Sequence, residues 1–144
     1  MAINIIPGAD IIISGMDAER ARMEVVANNL ANTNSTGPAG KGYKRLTPVF
    51  EAVYHDSLNS EATPADELGG VKVSSIATDN KPGPKVYAPF NPNADKDGMV
   101  EMPNVSPINE MMDLITSTRA YEANLTAMKQ TFDMANKTVN LGKA

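Results

Sequence analysis

The sequence lacks the residues that several kinds of protein chemistry require. Its 144 residues include no cysteine, no tryptophan and a single histidine. Without cysteine there is no disulfide framework, no thiolate zinc site and no thiol nucleophile. Aromatic residues make up only 5% of the chain, so a compact aromatic core is not expected. The length alone fits one ordinary domain.

Positive charge and long apolar runs are scarce too. Lys and Arg total 13 against 17 acidic residues, which gives a net charge of −4. A broad nucleic-acid-binding surface needs clustered positive charge, so we expect no nucleic-acid partner. The longest apolar stretch, around residues 11–13, is far below the ~18–20 residues of a membrane span. No basic segment precedes the isoleucine-rich start of the chain, and Pro7 and Asp10 interrupt that start, so we expect no cleaved signal peptide.

Glycine and proline are abundant, but they are concentrated in the middle of the chain. Residues 37–107 hold seven of the ten glycines and nine of the ten prolines. Both flanks are almost free of these helix breakers, which predicts a helix, a loop-and-strand segment and a second helix. We therefore divide the chain into 1–36, 37–106 and 107–144. The expected fold class is mainly α with a small β/loop middle.

The N-terminal flank carries an amphipathic helical pattern. Its apolar positions step by 3, 4, 7, 3 and 4, a heptad pattern in which Glu19 takes one core-type position. The helix starts at either Asp10 or Ser14, and the sequence does not choose between them. The positions are Ala9, Ile12, Met16, Met23, Val26 and Leu30.

The C-terminal flank shows the same pattern without a break. Ser106 as N-cap and Pro107 at the first helical position predict a helix of about 50 Å that ends near Leu141. Its stripe contains one polar residue and comprises Met111, Leu114, Thr118, Tyr121, Leu125, Met128, Phe132, Ala135 and Val139. The opposite face is rich in Thr, Asn and Ala rather than in charge, so we infer contacts on more than one side of both helices.

The middle segment contains short strand patterns at residues 70–76, 85–87 and 99–102, with an extended candidate at 43–53. It is expected to form only a small short-strand subdomain. The acidic run 56–69 is expected to be mobile. Residues 93–98 match the opening of a calcium loop, but the twelfth position is Asn104 instead of Glu. An Asp97-Gly98 turn between two strands is therefore the favoured interpretation.

No motif indicates catalysis. His55 stands alone in a polar stretch, and the basic cluster 41–45 is expected to pair with nearby carboxylates. The chain has no phosphate-binding glycine loop, no nucleophile elbow and no zinc-protease motif. We therefore predict no catalytic, cofactor-binding or metal-binding residues and no cofactor.

Several segments resemble the flagellar basal-body rod protein family. Residues 26–37, VANNLANTNSTG, resemble its N-terminal signature. Further segments, in the same order along the chain, are similar to its proximal rod branch: 37–45, 70–73, 87–95, 98–105, 110–111, 119–124 and 141–142. Residues 3–13 and the acidic run match no motif of that family.

The resemblance implies a non-enzymatic structural subunit of the proximal rod in the periplasm. Such subunits are exported by the flagellar type III apparatus without a cleaved signal. They polymerise helically with copies of themselves and other rod subunits, through terminal helices paired as an antiparallel coiled coil. The implied assembly residues are Ile12, Met16, Met23, Val26, Asn28, Asn29, Leu30, Asn32, Met111, Leu114, Tyr121, Leu125, Met128 and Phe132.

The asparagines have two alternative roles. Asn28, Asn29, Asn32 and Asn34 either cap the helix and fix neighbouring subunits or form a local turn. A second interpretation of the whole chain is a soluble helical adaptor or calcium-binding module of an export machine.

Overall fold

The computed structural model describes residues 8–37, 41–54 and 68–142. Two long helices flank four strands in these residues, as the distribution of glycine and proline predicts. The elements in chain order are α1 (Ala9–Ala31), β1 (Leu46–Tyr54), β2 (Leu68–Thr78), β3 (Lys85–Tyr87), β4 (Met99–Glu101) and α2 (Pro107–Leu141). The mainly α class with a small strand-containing middle is confirmed.

The two helices pack against each other in opposite directions. Three contacts at successive levels fix that direction: Asn29 with Glu110, Met23 with Thr118, and Gly15 with Asn124. Continuing this pairing places the first residue of α1 level with about residue 130 of α2. Since α2 continues to Leu141, about the last eleven residues, or ~16 Å, extend beyond α1. The antiparallel arrangement is confirmed, whereas coiled-coil packing in detail stays a prediction.

The helix starts follow from local sequence. α1 begins at Ala9, after Gly8 with a left-handed φ of 85°. Ser14 therefore lies inside the helix. Its hydroxyl donates to the Ile11 carbonyl and accepts a hydrogen bond from the Val71 amide, so it joins α1 to β2. α2 begins at Pro107 after Ser106, as predicted, although the Ser106 side chain makes no capping hydrogen bond.

Strands β1 and β2 form an antiparallel hairpin that packs on α1. The register runs from Leu46 opposite Thr78 to Tyr54 opposite Leu68, with irregularities after Val49 and Val53. β1 starts three residues later than the extended candidate at 43–53 and ends one residue beyond it, whereas β2 extends two residues past both ends of the 70–76 pattern. Gly70 has a φ of 107°, and a Cβ there would collide with the Ser14 side chain, so only glycine fits this crossing.

Strands β3 and β4 form a second, shorter antiparallel pair. The segment between them ends in a turn in which Asp95 Oδ1 accepts the amides of Asp97 and Met99. Gly98 adopts a φ of 72° there. The predicted turn at 97–98 is confirmed. One carboxylate oxygen, which the calcium interpretation assigned to the ion, is occupied by backbone amides.

The core of the described chain is small. Its buried apolar residues are Ala18, Val25, Val26 and Val100. Helix α1 packs against α2 and also against β1 and β2, so it is contacted on more than one side as predicted. In the described chain, no strand packs along α2, which leaves much of that helix exposed.

Some predictions lie outside the described residues. These are the position of His55, most of the acidic run (residues 56–67) and the beginning of the isoleucine-rich segment (residues 3–7). The division of the chain into 1–36, 37–106 and 107–144 stays a prediction.

Candidate assembly site

Asn29 is the centre of a buried polar cluster near the end of α1. Its side chain is fully buried and uses all of its hydrogen-bonding groups. Nδ2 donates to the Leu46 carbonyl at 2.8 Å and to Glu110 Oε2 at 3.0 Å. Oδ1 accepts from the Leu46 amide at 2.9 Å and from the Tyr43 hydroxyl at 3.0 Å. One amide thus joins both helices and the start of β1.

Arg45 and Glu110 form the charged part of this cluster. Glu110 lies in the first turn of α2 and its side chain is fully buried, whereas that of Arg45 is 28% exposed. Arg45 Nε donates to Glu110 Oε1 at 2.6 Å, and its Nη2 lies 3.2 Å from Asp113 Oδ2. Arg45 Nη1 also donates to the Thr47 hydroxyl. We call Asn29, Tyr43, Arg45 and Glu110 the polar hub.

The backbone of Arg45 is held as firmly as its side chain. Its amide donates to Asn104 Oδ1 at 2.7 Å, and its carbonyl accepts from the Asp79 amide. Asn104 in turn donates to the Asp79 carbonyl. These bonds join the end of β2 and the segment before α2 to the polar hub. Arg45 therefore connects the start of β1 with the end of β2, the segment before α2 and α2 itself.

The electrostatics of the hub are visible in Tyr43. Burial raises the pKa of its hydroxyl above the ordinary 10.0, and the nearby negative charge of Glu110 raises it further. The hydroxyl therefore remains a hydrogen-bond donor to Asn29 across the physiological range. Because the Tyr43 hydroxyl donates, the side-chain oxygen of Asn29 faces Tyr43 and its side-chain nitrogen faces Glu110.

Lys44 makes a second ion pair beside the hub. Its Nζ lies 2.7 Å from Glu101 Oε1, which also accepts the Gly83 amide. The hydrogen bond from Lys44, followed by that from Gly83, lowers the pKa of Glu101 below its ordinary 4.5. The prediction that the basic cluster 41–45 pairs with nearby carboxylates is confirmed for Lys44 and Arg45.

The other asparagines of the signature act locally. Asn32 Nδ2 donates to the carbonyl of Asn28 and to its side-chain oxygen, which closes the end of α1. Ser35 then donates to Asn32 Oδ1. Asn93 donates to both oxygens of Thr36 and so ties the end of the signature to the turn before β4. Helix capping and turn formation therefore both occur here.

Two glycines enclose the chain directly after β4. A Cβ on Gly42 would lie 2.5 Å from the Met102 carbonyl, and a Cβ on Gly83 would collide with the same carbonyl. Met102 also donates its amide to the Pro84 carbonyl at 2.8 Å. Only residues without a side chain allow this close approach, so Gly42 and Gly83 are required where the chain leaves β4.

The residues proposed for assembly differ in exposure. On α1, Val26 is buried, and Ile12, Met16, Met23, Leu30 and Asn32 are half-buried, whereas Asn28 is exposed. On α2, Leu114, Tyr121, Leu125 and Met128 are half-buried, whereas Met111 and Phe132 are exposed. The structure therefore brings part of this set together between the helices and leaves the remainder at the surface.

Helix α2 also presents apolar residues that the heptad stripe did not include. Near its start Ile108, Met112 and Ile115 are exposed, with 68% of Ile108 accessible. Their spacing of four and three residues places them on one face. Beyond the start of α1 the exposed apolar residues are Phe132 and Val139, which belong to the heptad stripe, and Met134 and Leu141, which do not. Exposed apolar faces of this kind are typical of interaction surfaces.

Sequence reasoning missed the hub partner Glu110 and the central position of Arg45. By local sequence alone, Glu110 is only an acidic residue in the first turn of a helix, where the positive end of the helix dipole favours it. The available signal was the seven-residue spacing of Glu110, Ser117 and Asn124, a polar and small stripe next to the apolar one. Ser117 and Glu110 are both fully buried.

The described residues contain no cluster of three or more His, Asp or Glu side chains that would hold a metal ion. None of the described helices combines the length and apolarity needed to cross a membrane.

Two family models match this chain. One, described as "Flagella basal body rod protein", matches residues 10–38, which cover α1 and the asparagine-rich signature. The other, described as "Flagellar basal body rod FlgEFG protein C-terminal", matches residues 96–141, from the turn before β4 to the end of α2. The two matches contain both helices and the hub residues Asn29 and Glu110.

Curated relatives match over nearly the whole chain. A flagellar basal-body rod protein FlgC from Aquifex aeolicus is 43% identical, covering 98% of this chain and 99% of the relative. The protein of the same name from Bacillus subtilis is 40% identical over 90% of this chain and 93% of the relative. That from Salmonella typhimurium is 38% identical over 93% of this chain and 95% of the relative.

Proposed function

The chain belongs to the family of the flagellar basal-body rod protein FlgC, and on that premise we propose that it is a structural subunit of the proximal rod. It contributes to the rod by packing against neighbouring subunits rather than by catalysing a reaction. The observation that carries this proposal is the apolar surface of α2 that the other described residues leave uncovered.

The uncovered surface suits helical assembly. A face that is apolar and uncharged gains free energy when a neighbouring subunit covers it, at roughly 25 cal/mol per Å². The segment of α2 beyond the start of α1 carries apolar surface of this kind on two sides, with Phe132 and Val139 on one side and Met134 and Leu141 on the other, each about half exposed or more. We propose that neighbouring subunits, both copies of this chain and other rod proteins, cover it in the assembled rod.

The two classes of predicted assembly residue act differently in this proposal. Met111, Phe132 and Asn28 are exposed and contact neighbouring subunits directly. Asn29 is fully buried, so it acts indirectly by holding the helices in place. The half-buried residues contribute first to the helix pair and then to its contacts. The proposal places the chain in the periplasmic part of the basal body, after export by the type III apparatus without a cleaved signal.

The alternative of an adaptor or calcium-binding module is not favoured. The family match covers both helices, and the only calcium-like segment uses Asp95 Oδ1 for two backbone amides. We propose no catalytic activity.

The test uses Phe132→Asp, expressed in cells that lack their own copy of the chain. Phe132 is 48% exposed and lies beyond α1, so the aspartate leaves the helix pair of the single chain folded. We expect no incorporation into isolated basal bodies and no swimming. Gln130→Asp, at an exposed polar position two residues away, is the matched control and should incorporate normally. Normal incorporation of the Phe132 variant would refute the proposed assembly face.

A further inference from the structure

Two of the places where α1 and α2 meet lie fourteen residues, or two heptads, apart on each helix: Asn29 opposite Glu110, and Gly15 opposite Asn124. A middle level lies between them, where Met23 contacts Thr118, the neighbour of the buried Ser117. In the described chain, the first level is joined by the hydrogen bond from Asn29 to Glu110 at 3.0 Å, whereas the middle level has only a long one, from the Thr118 hydroxyl to the Met23 sulfur at 3.6 Å. Ser117 is fully buried but its hydroxyl has no hydrogen-bond partner in the described chain. Gly15 has no side chain. The second and third levels therefore specify little about which residue lies opposite.

A helix pair with such a repeat has neighbouring registers of similar packing. Sliding one helix by seven residues keeps apolar stripe against apolar stripe. Here α2 extends about eleven residues beyond the start of α1. If α2 slides so that its own start passes the end of α1, all of α1 therefore remains covered by α2. The slide would shift the helices by roughly 10 Å relative to each other.

The polar hub distinguishes the observed register from its neighbours. If α2 slides so that Ser117 lies opposite Asn29, Glu110 passes the end of α1 and loses both Asn29 and Arg45. If it slides the other way, Glu110 reaches the level of Arg22, whose guanidinium lies 4.9 Å from the Phe50 ring centroid. Asn29 then passes the start of α2. Each slide separates Asn29 from Glu110.

We propose that the polar hub determines the register of the helix pair and that its main contribution is to specificity rather than to stability. A buried polar pair excludes competing registers because each of them leaves buried polar groups without partners. Arg45 and Leu46 add a further constraint. They connect the hub to β1, so the register of the helices also fixes where the hairpin lies.

Spin-label distances between the helices test this proposal. The chain has no cysteine, so cysteines at the exposed positions Glu24 and Lys129 are the only labelling sites. In the observed register their levels differ by fourteen residues, about 21 Å along the helix axis. A one-heptad slide changes this separation by roughly 10 Å, which pulsed electron paramagnetic resonance resolves as a separate distance.

The test variant is Asn29→Leu combined with Glu110→Leu. We expect it to retain its helical circular dichroism but to show a second distance shifted by about 10 Å. Ser117→Ala is the matched control, since it is an equally buried position on the same stripe, and it should show one distance. A single, unchanged distance in the helical double variant would overturn the proposal.

A milder variant guards against loss of folding. If the double variant is not helical, the single change Asn29→Ala, which keeps the Arg45–Glu110 ion pair, is measured in the same way. It should show a second distance with a smaller population than in a helical variant that lacks Glu110, because the remaining Arg45–Glu110 ion pair still favours the observed register, and one distance only would overturn the proposal.

The consequence for the rod rests on the proposed function and is measured separately. The double variant should fail to incorporate into basal bodies, whereas Ser117→Ala should incorporate. Absence of the unmodified chain from basal bodies would refute the proposed function and leave the distance result unaffected. Incorporation of a variant that shows two distances would overturn the link between register and assembly.

Discussion

Removing the two charges of the hub separately should have unequal effects on stability. Glu110 is fully buried, whereas the Arg45 side chain is 28% exposed and has a second carboxylate, Asp113, at 3.2 Å. Arg45→Met therefore leaves a buried carboxylate whose remaining hydrogen-bond donor is Asn29. Glu110→Leu leaves an arginine that is partly hydrated and still paired.

The magnitudes follow from this asymmetry. Breaking a buried ion pair from one side costs about 3–5 kcal/mol. We place Arg45→Met near the upper end of that range, at about 4–5 kcal/mol, and Glu110→Leu at about 2–3 kcal/mol because solvent and Asp113 compensate Arg45. Arg45→Met combined with Glu110→Leu removes both charges and leaves one Nδ2 hydrogen of Asn29 without its acceptor, so it should lose only about 1 kcal/mol, far less than the sum of the single changes.

Urea unfolding of the purified chain, followed by circular dichroism at 222 nm and neutral pH, measures these differences. The three variants and the unmodified protein form a double-mutant cycle. A loss for Glu110→Leu that equals or exceeds the loss for Arg45→Met would refute the reasoning. Additive effects would refute it as well, because they would mean that the two side chains do not interact.

Three other changes test separate parts of the fold. Leu125→Asp places a charge in the half-buried seam of α2, so we expect about 3 kcal/mol of destabilisation in urea and, with the protein still expressed, no rod assembly or swimming. Gly83→Ala should cost about 2–3 kcal/mol because its Cβ meets the Met102 carbonyl, whereas Gly142→Ala, with no contact closer than 3.7 Å, should lie within about 0.5 kcal/mol of the unmodified protein. Lys44 and Gly83 lower the pKa of Glu101, so its contribution to stability is present above pH 4.5 and is lost as the pH falls through the lowered value. Glu101→Gln should reduce the loss of stability between pH 5 and pH 3 in urea titrations, and an unchanged acid sensitivity would contradict this.

Helix positions were largely predictable from the sequence because their signals are local. Ser106 and Pro107 mark the start of α2, and the freedom from breakers up to Leu141 marks its length. Residues 85–87 and the turn at 97–98 were predictable for the same reason. The start of α1 was left open between Asp10 and Ser14. The residue before the helix is Gly8, which has a positive φ and no side chain to make a capping hydrogen bond, so the sequence marks this helix start only weakly.

The contacts between distant segments were not predictable. Asn29, Arg45 and Glu110 come from three separate segments, and no local pattern states that an asparagine and a glutamate 81 residues apart share a hydrogen bond. The apolar stripe of α2 predicts one buried face, but the fully buried residues Glu110 and Ser117 lie on the polar stripe beside it. Hydrophobic periodicity locates the face of a helix, but it does not identify a buried polar group whose partner is supplied by tertiary structure.

The separation between Asn29 and Glu110 also bears on how fast the chain folds. Bringing together two residues 81 positions apart closes a long loop, and this costs entropy before any contact between the helices is gained. The hairpin of β1 and β2 and the pair of β3 and β4 lie inside that loop and shorten its flexible part as they form. Each halving of the flexible length removes roughly 0.6 kcal/mol from the closure cost. Formation of the two strand pairs therefore lowers the entropic cost of bringing α1 and α2 together.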